Sequence, residues 1–293
     1  MRDFNEQNAT EAVLARLDGC PDARLKEVMT SVVRHLHAVV REVEPSPDEW
    51  LAAIRFLTRT GQICDERRQE FILLSDTLGV SMLVDAIHHR EPAGCTESTV
   101  LGPFHVEGAA EIPLGGNLCR DGKGAPTVVA GRVLDPGGAP IAGAALDVWQ
   151  TNGEGFYDTQ QPDLQPEMNL RGKLTTDAKG RFWFRTIRPV SYPIPTDGPV
   201  GQLLDRLGRH PYRPAHIHFI VSAPGFESVT THLFVEGDPY LDSDAVFGVK
   251  ESLIVPFVRH VSASDAERLG VAAPCYQVEH DFRLKRAASQ AVA

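Results

Sequence analysis

The sequence predicts an α+β fold: a helical N-terminal domain over residues 1–95, followed by an all-β antiparallel sandwich over residues 96–293. Three observations predict it. Apolar residues recur at three- and four-residue steps up to about Arg90. Beyond Cys95 they fall instead into short runs cut by Gly and Pro. A chain of 293 residues, 42% of them hydrophobic, also has ample material for a buried core.

The helices come first. In "DARLKEVMTSVVRHLHAVVREV" the residues Leu25, Val28, Met29, Val32, Leu36, Val39 and Val40 make one apolar stripe. Such a stripe either pairs with a second copy, giving a homodimer, or packs against its own domain. In "SPDEWLAAIRFLTRTG", Ser46 is a cap, Pro47 suits the first helical position, Glu49 completes a capping box and Gly61 suits a stop. A further helix is expected through "DERRQEFILLSDTLGVSMLVDAIHHREP", closed by Pro92.

The strands follow, in "TVVAGRVLDPGGAPIAGAALDVWQ", "KLTTDAKGRFWFRTI" and "AHIHFIVSAPGFESVTTHLFVEGD", with "DPGG" and "DAKG" as turns. Runs of this length fit an antiparallel sandwich better than alternating βαβ units. The tail "KRAASQAVA" is expected to fray.

Composition narrows the function. A net charge of −10 argues against a general nucleic-acid binder, which needs clustered Lys and Arg. No apolar run is long enough for a membrane span, and "MRDFNEQNATEAVLARL" lacks the pattern of a signal peptide, so a cytoplasmic location is expected. The five cysteines, Cys20, Cys64, Cys95, Cys119 and Cys275, are scattered and never form CxxC. Neither a disulfide framework nor a thiolate zinc site is expected.

Chemistry enters with "RPAHIHFIV", Arg213 to Val221. On a strand, positions i and i+2 share a face, so His216 and His218 can aim at one ion. A bare HxH pair is more often structural than metal-binding, but this strand is apolar on both faces, and buried imidazoles need partners. No HExxH, CxxC or HxD supplies the other ligands. Attention passes to tyrosine, of which the chain has five: Tyr157 in "WQTNGEGFYD" and Tyr192 in the proline-stiffened "RPVSYPIPTDGP". Alone, either reads as structural. A binding module in which these side chains merely pack and a zinc hydrolase built on the HxH pair are the competing readings. Two tyrosines are unusual zinc ligands.

In combination, "DVWQTNGEGFYD", "YPIPTDGPVGQLL" and "GRHPYRPAHIHF", in this order within one β-rich stretch, resemble the intradiol ring-cleavage dioxygenases. The resemblance covers nearly the whole chain. It implies a non-haem Fe(III) cofactor held by Tyr157, Tyr192, His216 and His218, an aromatic diol and O2 as substrates, and a homodimer joined through the N-terminal helices, with a phospholipid in some members. It also implies that Tyr192 leaves the metal and takes a substrate proton, and that Arg213 stabilises negative charge on the ring. Two phenolates and a hydroxide neutralise Fe(III), and a dianionic substrate can replace the hydroxide and one phenolate at constant charge. His232 falls where the family carries a polar residue behind the ligands.

Within the family, "YPIPTDGPVG" and "GDPYLDSDAVFGVKESLIV" stand closest to the branch acting on hydroxyquinol, with the chlorocatechol branch next. That match places Leu73, Asp76, Val100, Leu101, Gly102, Pro103, Phe104, Ile194 and Pro195 around the substrate. Core packing or a helix cap explains several of these equally well. Leu101 stands where this branch has phenylalanine, which leaves extra room.

Overall fold

The computed structural model describes residues 2–66, 68–90 and 94–287. The chain divides into two compact units, Met1–Arg59 and Thr60–Ala293. The expected stop at Pro92 and most of the tail lie outside the described residues.

The first unit holds α1 (Ala9–Leu14), α2 (Ala23–Val43) and most of α3 (Pro47–Gln62). Asp22 caps α2 by accepting the Leu25 N–H at 2.9 Å. The capping box of α3 forms as expected: Glu49 accepts the Ser46 N–H at 2.8 Å, and Ser46 Oγ accepts the Glu49 N–H at 3.3 Å. α3 runs one residue past the expected stop at Gly61. The stripe of α2 is exposed along its length, from Leu25 to Val43.

In the second unit, the single helix expected after Asp65 is two, α4 (Glu70–Thr77) and α5 (Val80–His88), bent by 75°. Gly79 makes the bend with a φ of +73°, a left-handed conformation that glycine adopts without a Cβ penalty. The bend turns α4 inward, so that Leu73 and Asp76 are buried. Among the described residues no single helix is long and apolar enough to cross a membrane.

The strands are β1 (Pro126–Leu134), β2 (Ala145–Trp149), β3 (Arg171–Thr175), β4 (Arg181–Ile187), β5 (Tyr192–Pro193), β6 (Tyr212–Arg213), β7 (His216–Ser222), β8 (Val229–Val235), β9 (Ile254–Val255), β10 (Val258–His260), β11 (Cys275–Glu279) and β12 (Phe282–Arg283). One sheet runs β10-β11-β1-β12 with β4 also on β1, and the other runs β3-β2-β7-β8-β9. Asp177 closes the β3–β4 turn by accepting from Lys179 and Arg181, as "DAKG" predicts.

Two corrections apply to the expected all-β antiparallel sandwich. The strand pairs at its centre are antiparallel, but β11 and β12 run parallel to β1, and β9 parallel to β8. β9 and β11 follow long connections rather than tight hairpins, and β12 continues the line of β11 after two residues, so local turn signals cannot announce their direction. The β region also contains α6 (Pro199–Arg206) and α7 (Ala263–Leu269). α6 begins with Pro199 at its first turn, and Glu70 of α4 accepts the Val200 N–H at 3.0 Å, capping it from a distant point in the chain.

Alternation along β7 positions the site. Ile217, Phe219 and Val221 join Val129, Phe184, Leu146 and Leu233 in the core between the sheets. His216 and His218 therefore face the other side of their sheet. There the register sets Arg171, Trp149, His218 and His232 in one row across β3, β2, β7 and β8, and all four are buried.

Candidate metal centre and substrate cavity

Tyr157 reaches the row from the loop after β2. Asn152 shapes that loop by accepting the Glu154 and Phe156 N–H groups, each at 3.0 Å. Gly155, at φ +87°, lies so close to Tyr192 that a Cβ there would sit 2.8 Å from the Tyr192 Cβ. Glycine thus lets the two tyrosine segments meet. Tyr192 lies on β5, which pairs with β6 so that Tyr192 faces Arg213 across the ladder.

Four side chains converge. Tyr157 Oη lies 3.1 Å from Tyr192 Oη and 2.9 Å from His218 Nε2, which is 3.0 Å from His216 Nε2. His216 Nδ1 lies 2.7 Å from the Pro214 carbonyl, which assigns its proton to Nδ1 and leaves Nε2 a bare lone pair. Atoms each about 2.1 Å from a shared ion have spacings of this order. Burial pushes the Tyr157 phenol well above its usual value, and the nearby Tyr192 adds to the rise. Burial also raises Tyr192, against the opposing pull of Arg213. Burial first, and then the field of Arg213, drives His216 well below the ordinary imidazole value. Burial first, and then His232, does the same to His218. Two neutral imidazoles and two phenols that ionise only against a strong cation form a donor set suited to a hard, highly charged metal ion.

His216, His218 and His232 also form a three-histidine group whose ligand atoms lie within 4.8 Å of one another. Within it, His232 Nε2 sits 2.7 Å from His218 Nδ1, the edge turned away from the tyrosines. That contact places His232 behind His218 rather than at the converging atoms.

Arg213 is buried, with Nε 3.1 Å and Nη2 3.3 Å from the two oxygens of Asp244, and Nη1 3.3 Å from His216 Nε2. Burial opposes its charge, but Asp244 holds it charged. Asp244 in turn accepts the N–H groups of Val246 and Gly248, at 3.2 and 3.0 Å. A carboxylate with this many donors is a rigid mount for the guanidinium.

The residues expected around the substrate separate into groups. Leu73, Val100 and Ile194 lie in one buried apolar cluster with Val246. Phe104 stacks on Tyr157, with centroids 4.5 Å apart. A Cβ on Gly102 would meet the His218 ring at 3.5 Å. Leu73, Pro103, Phe104 and Pro195 line a cavity of about 1020 Å³. Arg68 bonds both Glu70 and Asp197, tying α4 to the segment carrying Ile194 and Pro195. Asp76 is buried, and desolvation raises its carboxyl against a bond from Ser81 and the field of Arg213. Leu101 is 44% exposed and outside the apolar cluster.

Asp244, Thr99 and Arg171 went unread in the sequence. Arg171 donates to Asp158 Oδ1 and to the Phe104 carbonyl, each at 2.7 Å, beneath the Tyr157 ring. Its position opposite Trp149 is a signal only once the register is known.

A family model described as dioxygenase matches residues 101–286, and one described as catechol dioxygenase N terminus matches residues 22–96. The chain belongs to the intradiol ring-cleavage dioxygenase family. A hydroxyquinol 1,2-dioxygenase of Rhizobium sp. (strain MTP-10005) is 59% identical over 97% of this chain and 96% of its own. A 6-chlorohydroxyquinol 1,2-dioxygenase of Cupriavidus pinatubonensis is 50% identical over 97% of this chain and 99% of its own. The solved hydroxyquinol 1,2-dioxygenase of Pseudomonas putida DLL-E4 superposes with a TM-score of 0.90, at 50% identity, over 96% of this chain and 99% of that one. This intradiol dioxygenase therefore shares its architecture with these relatives from the helical segment to the last strand.

Proposed function

We propose that this intradiol dioxygenase cleaves hydroxyquinol with O2 at a non-haem Fe(III) held by Tyr157, Tyr192, His216 and His218, giving 3-hydroxy-cis,cis-muconate, the enol form of maleylacetate. The convergence of two phenol oxygens and two imidazole Nε2 atoms beside Arg213 carries the reading. Bound Fe(III) supplies a Lewis acid that makes the chelated diol reactive toward O2.

The chain does the rest. Tyr192, next to Arg213, accepts a proton from a substrate hydroxyl. Arg213, fixed by Asp244, faces the negative charge that builds on the ring. Leu73, Val100, Ile194 and Phe104 exclude water from the reacting edge. Asp76 accepts a hydrogen bond from the third hydroxyl, which catechol lacks. Gly102, Pro103 and Pro195 complete the wall, and Leu101 widens it for larger rings. The exposed stripe of α2 supports a homodimer through the helical part, residues 1–95, with a phospholipid tail as a further occupant of such an apolar surface. Residues 96–293 form the catalytic part, and a cytoplasmic location belongs with the same reading.

Oxygen uptake with hydroxyquinol, catechol and chlorocatechols side by side tests the substrate. Hydroxyquinol is expected to give the highest kcat/KM, and a clear preference for catechol overturns the assignment. Asp76→Asn is expected to cut the hydroxyquinol-to-catechol ratio by roughly 10- to 100-fold, the value of a hydrogen bond to a charged partner. Its stability effect has the opposite sign. The folded-state pKa is raised, so the native state binds more protons and stability falls as pH rises from the unfolded value through the folded one. The variant should melt higher than the parent at pH 7, and this advantage should shrink in acid.

A further inference from the structure

We infer that Thr99 is a positioning residue for the metal centre, acting through His232 to fix which nitrogen of His218 carries its proton; the inference rests on the ligand reading above. Thr99 Oγ1 lies 2.5 Å from His232 Nδ1, His232 Nε2 lies 2.7 Å from His218 Nδ1, and His218 Nε2 faces Tyr157 Oη. All are buried, and the Thr99 N–H is itself bonded to the Thr230 carbonyl of β8 at 2.8 Å.

The chain of bonds has a direction. For His218 to present a lone pair at Nε2, its proton must sit on Nδ1 and be donated to His232 Nε2. That acceptor nitrogen is then bare, so the His232 proton is forced onto Nδ1, where it meets Thr99 Oγ1. Without this oxygen a buried N–H loses its acceptor, at a cost of about 1–3 kcal/mol. The escape is for His232 to move its proton to Nε2. That proton then confronts the one on His218 Nδ1 and pushes it toward the metal side. Rotating the rings offers no relief: Trp149 stacks on His218 at 4.6 Å, and His232 packs edge-on between His218 and Phe234. A threonine hydroxyl two bonds removed thus favours the tautomer that can bind metal. Thr99 also begins the loop Val100–Phe104, so the segment facing the substrate is anchored to the back of the metal ligand.

The test uses iron-loaded enzyme and follows iron loss to an excess chelator together with the visible absorbance of the ferric tyrosinates. Thr99→Val, nearly isosteric but without an acceptor, is expected to lose iron about 10- to 100-fold faster than the parent, the range for deleting a partner of a metal-bound histidine. Thr99→Ser should restore the parent rate to within about threefold. In a His232→Gln background, where the amide oxygen accepts from His218 independently of residue 99, Thr99→Val should cost nothing further; a merely structural role costs the same in both backgrounds. Equal iron loss by Thr99→Val and parent, failed rescue by serine, or additive effects with His232→Gln overturns the role of Thr99. A parent protein that takes up no iron and shows no visible band overturns the ligand reading itself, and this inference with it.

Discussion

Tyr157→Phe is expected to leave a folded protein that has lost its iron, its visible absorption and its turnover together. The substitution removes one oxygen and little else. The ring keeps its stack on Phe104 and its place over Arg171, so the metal-free variant should melt close to the metal-free parent. The lost oxygen is the one that approaches both His218 Nε2 and Tyr192 Oη. On the scale of four-ligand zinc sites, about 10–16 kcal/mol in all, one ligand is worth about 3 kcal/mol, or roughly a 100-fold loss of affinity. Tyr192→Phe should differ in kind. It is expected to retain more iron than Tyr157→Phe, to shift the visible band and to lose turnover out of proportion to iron, because in the proposed centre its oxygen serves as base as well as ligand. Iron content, absorption spectra and kcat of the two variants side by side decide the matter. Full activity in Tyr157→Phe removes that residue from the centre.

Asp244→Ala has the second large effect. It strands the Arg213 guanidinium in a buried site and frees the N–H groups of Val246 and Gly248. Removing one partner of a buried ion pair costs about 3–5 kcal/mol of stability. Asp244→Asn is the milder probe, since the amide still accepts one bond. It is expected to fold and hold iron, yet to lower kcat/KM by about 100-fold as Arg213 loses its two-point grip. Arg213→Lys should not substitute for the native pair, because an ammonium cannot span both carboxylate oxygens. Urea unfolding, iron content and steady-state oxygen uptake separate these effects. An Asp244→Asn enzyme with parental kcat/KM rules out a mounting role for Asp244.

What could be read in the sequence depended on distance along the chain. The capping box at Ser46 and Glu49, the turn at Asp177 and the alternation of "HIHFIV" are local patterns, and local physics determined them. The helical pattern of "DERRQEFILLSDTLGVSMLVDAIHHREP" runs straight across Gly79; only the packing of α4 requires the bend. α6 was hidden because its cap, Glu70, lies far back in the chain. The parallel placement of β9, β11 and β12 leaves no turn signature. At the site, the HxH pair and the two tyrosines stood out by residue type. Asp244 and Thr99 are ordinary residues whose meaning comes from partners 31 and 133 positions away.

The row from Arg171 to His232 ties the candidate site to the core of the sheet. His218 shares its strand with core residues on alternate positions, so a shift of register by one would exchange the proposed ligands for Ile217 and Phe219 and empty the core at the same time. The proposed ligands on β7 are therefore set by the same register that fills the core. Leu73 of α4, Pro103 with Phe104, and Pro195 come from three separate stretches and line one cavity. Under the proposed reading, a substitution in any one of these stretches alters the fit of the ring, while the reaction chemistry stays tied to the requirement to fold.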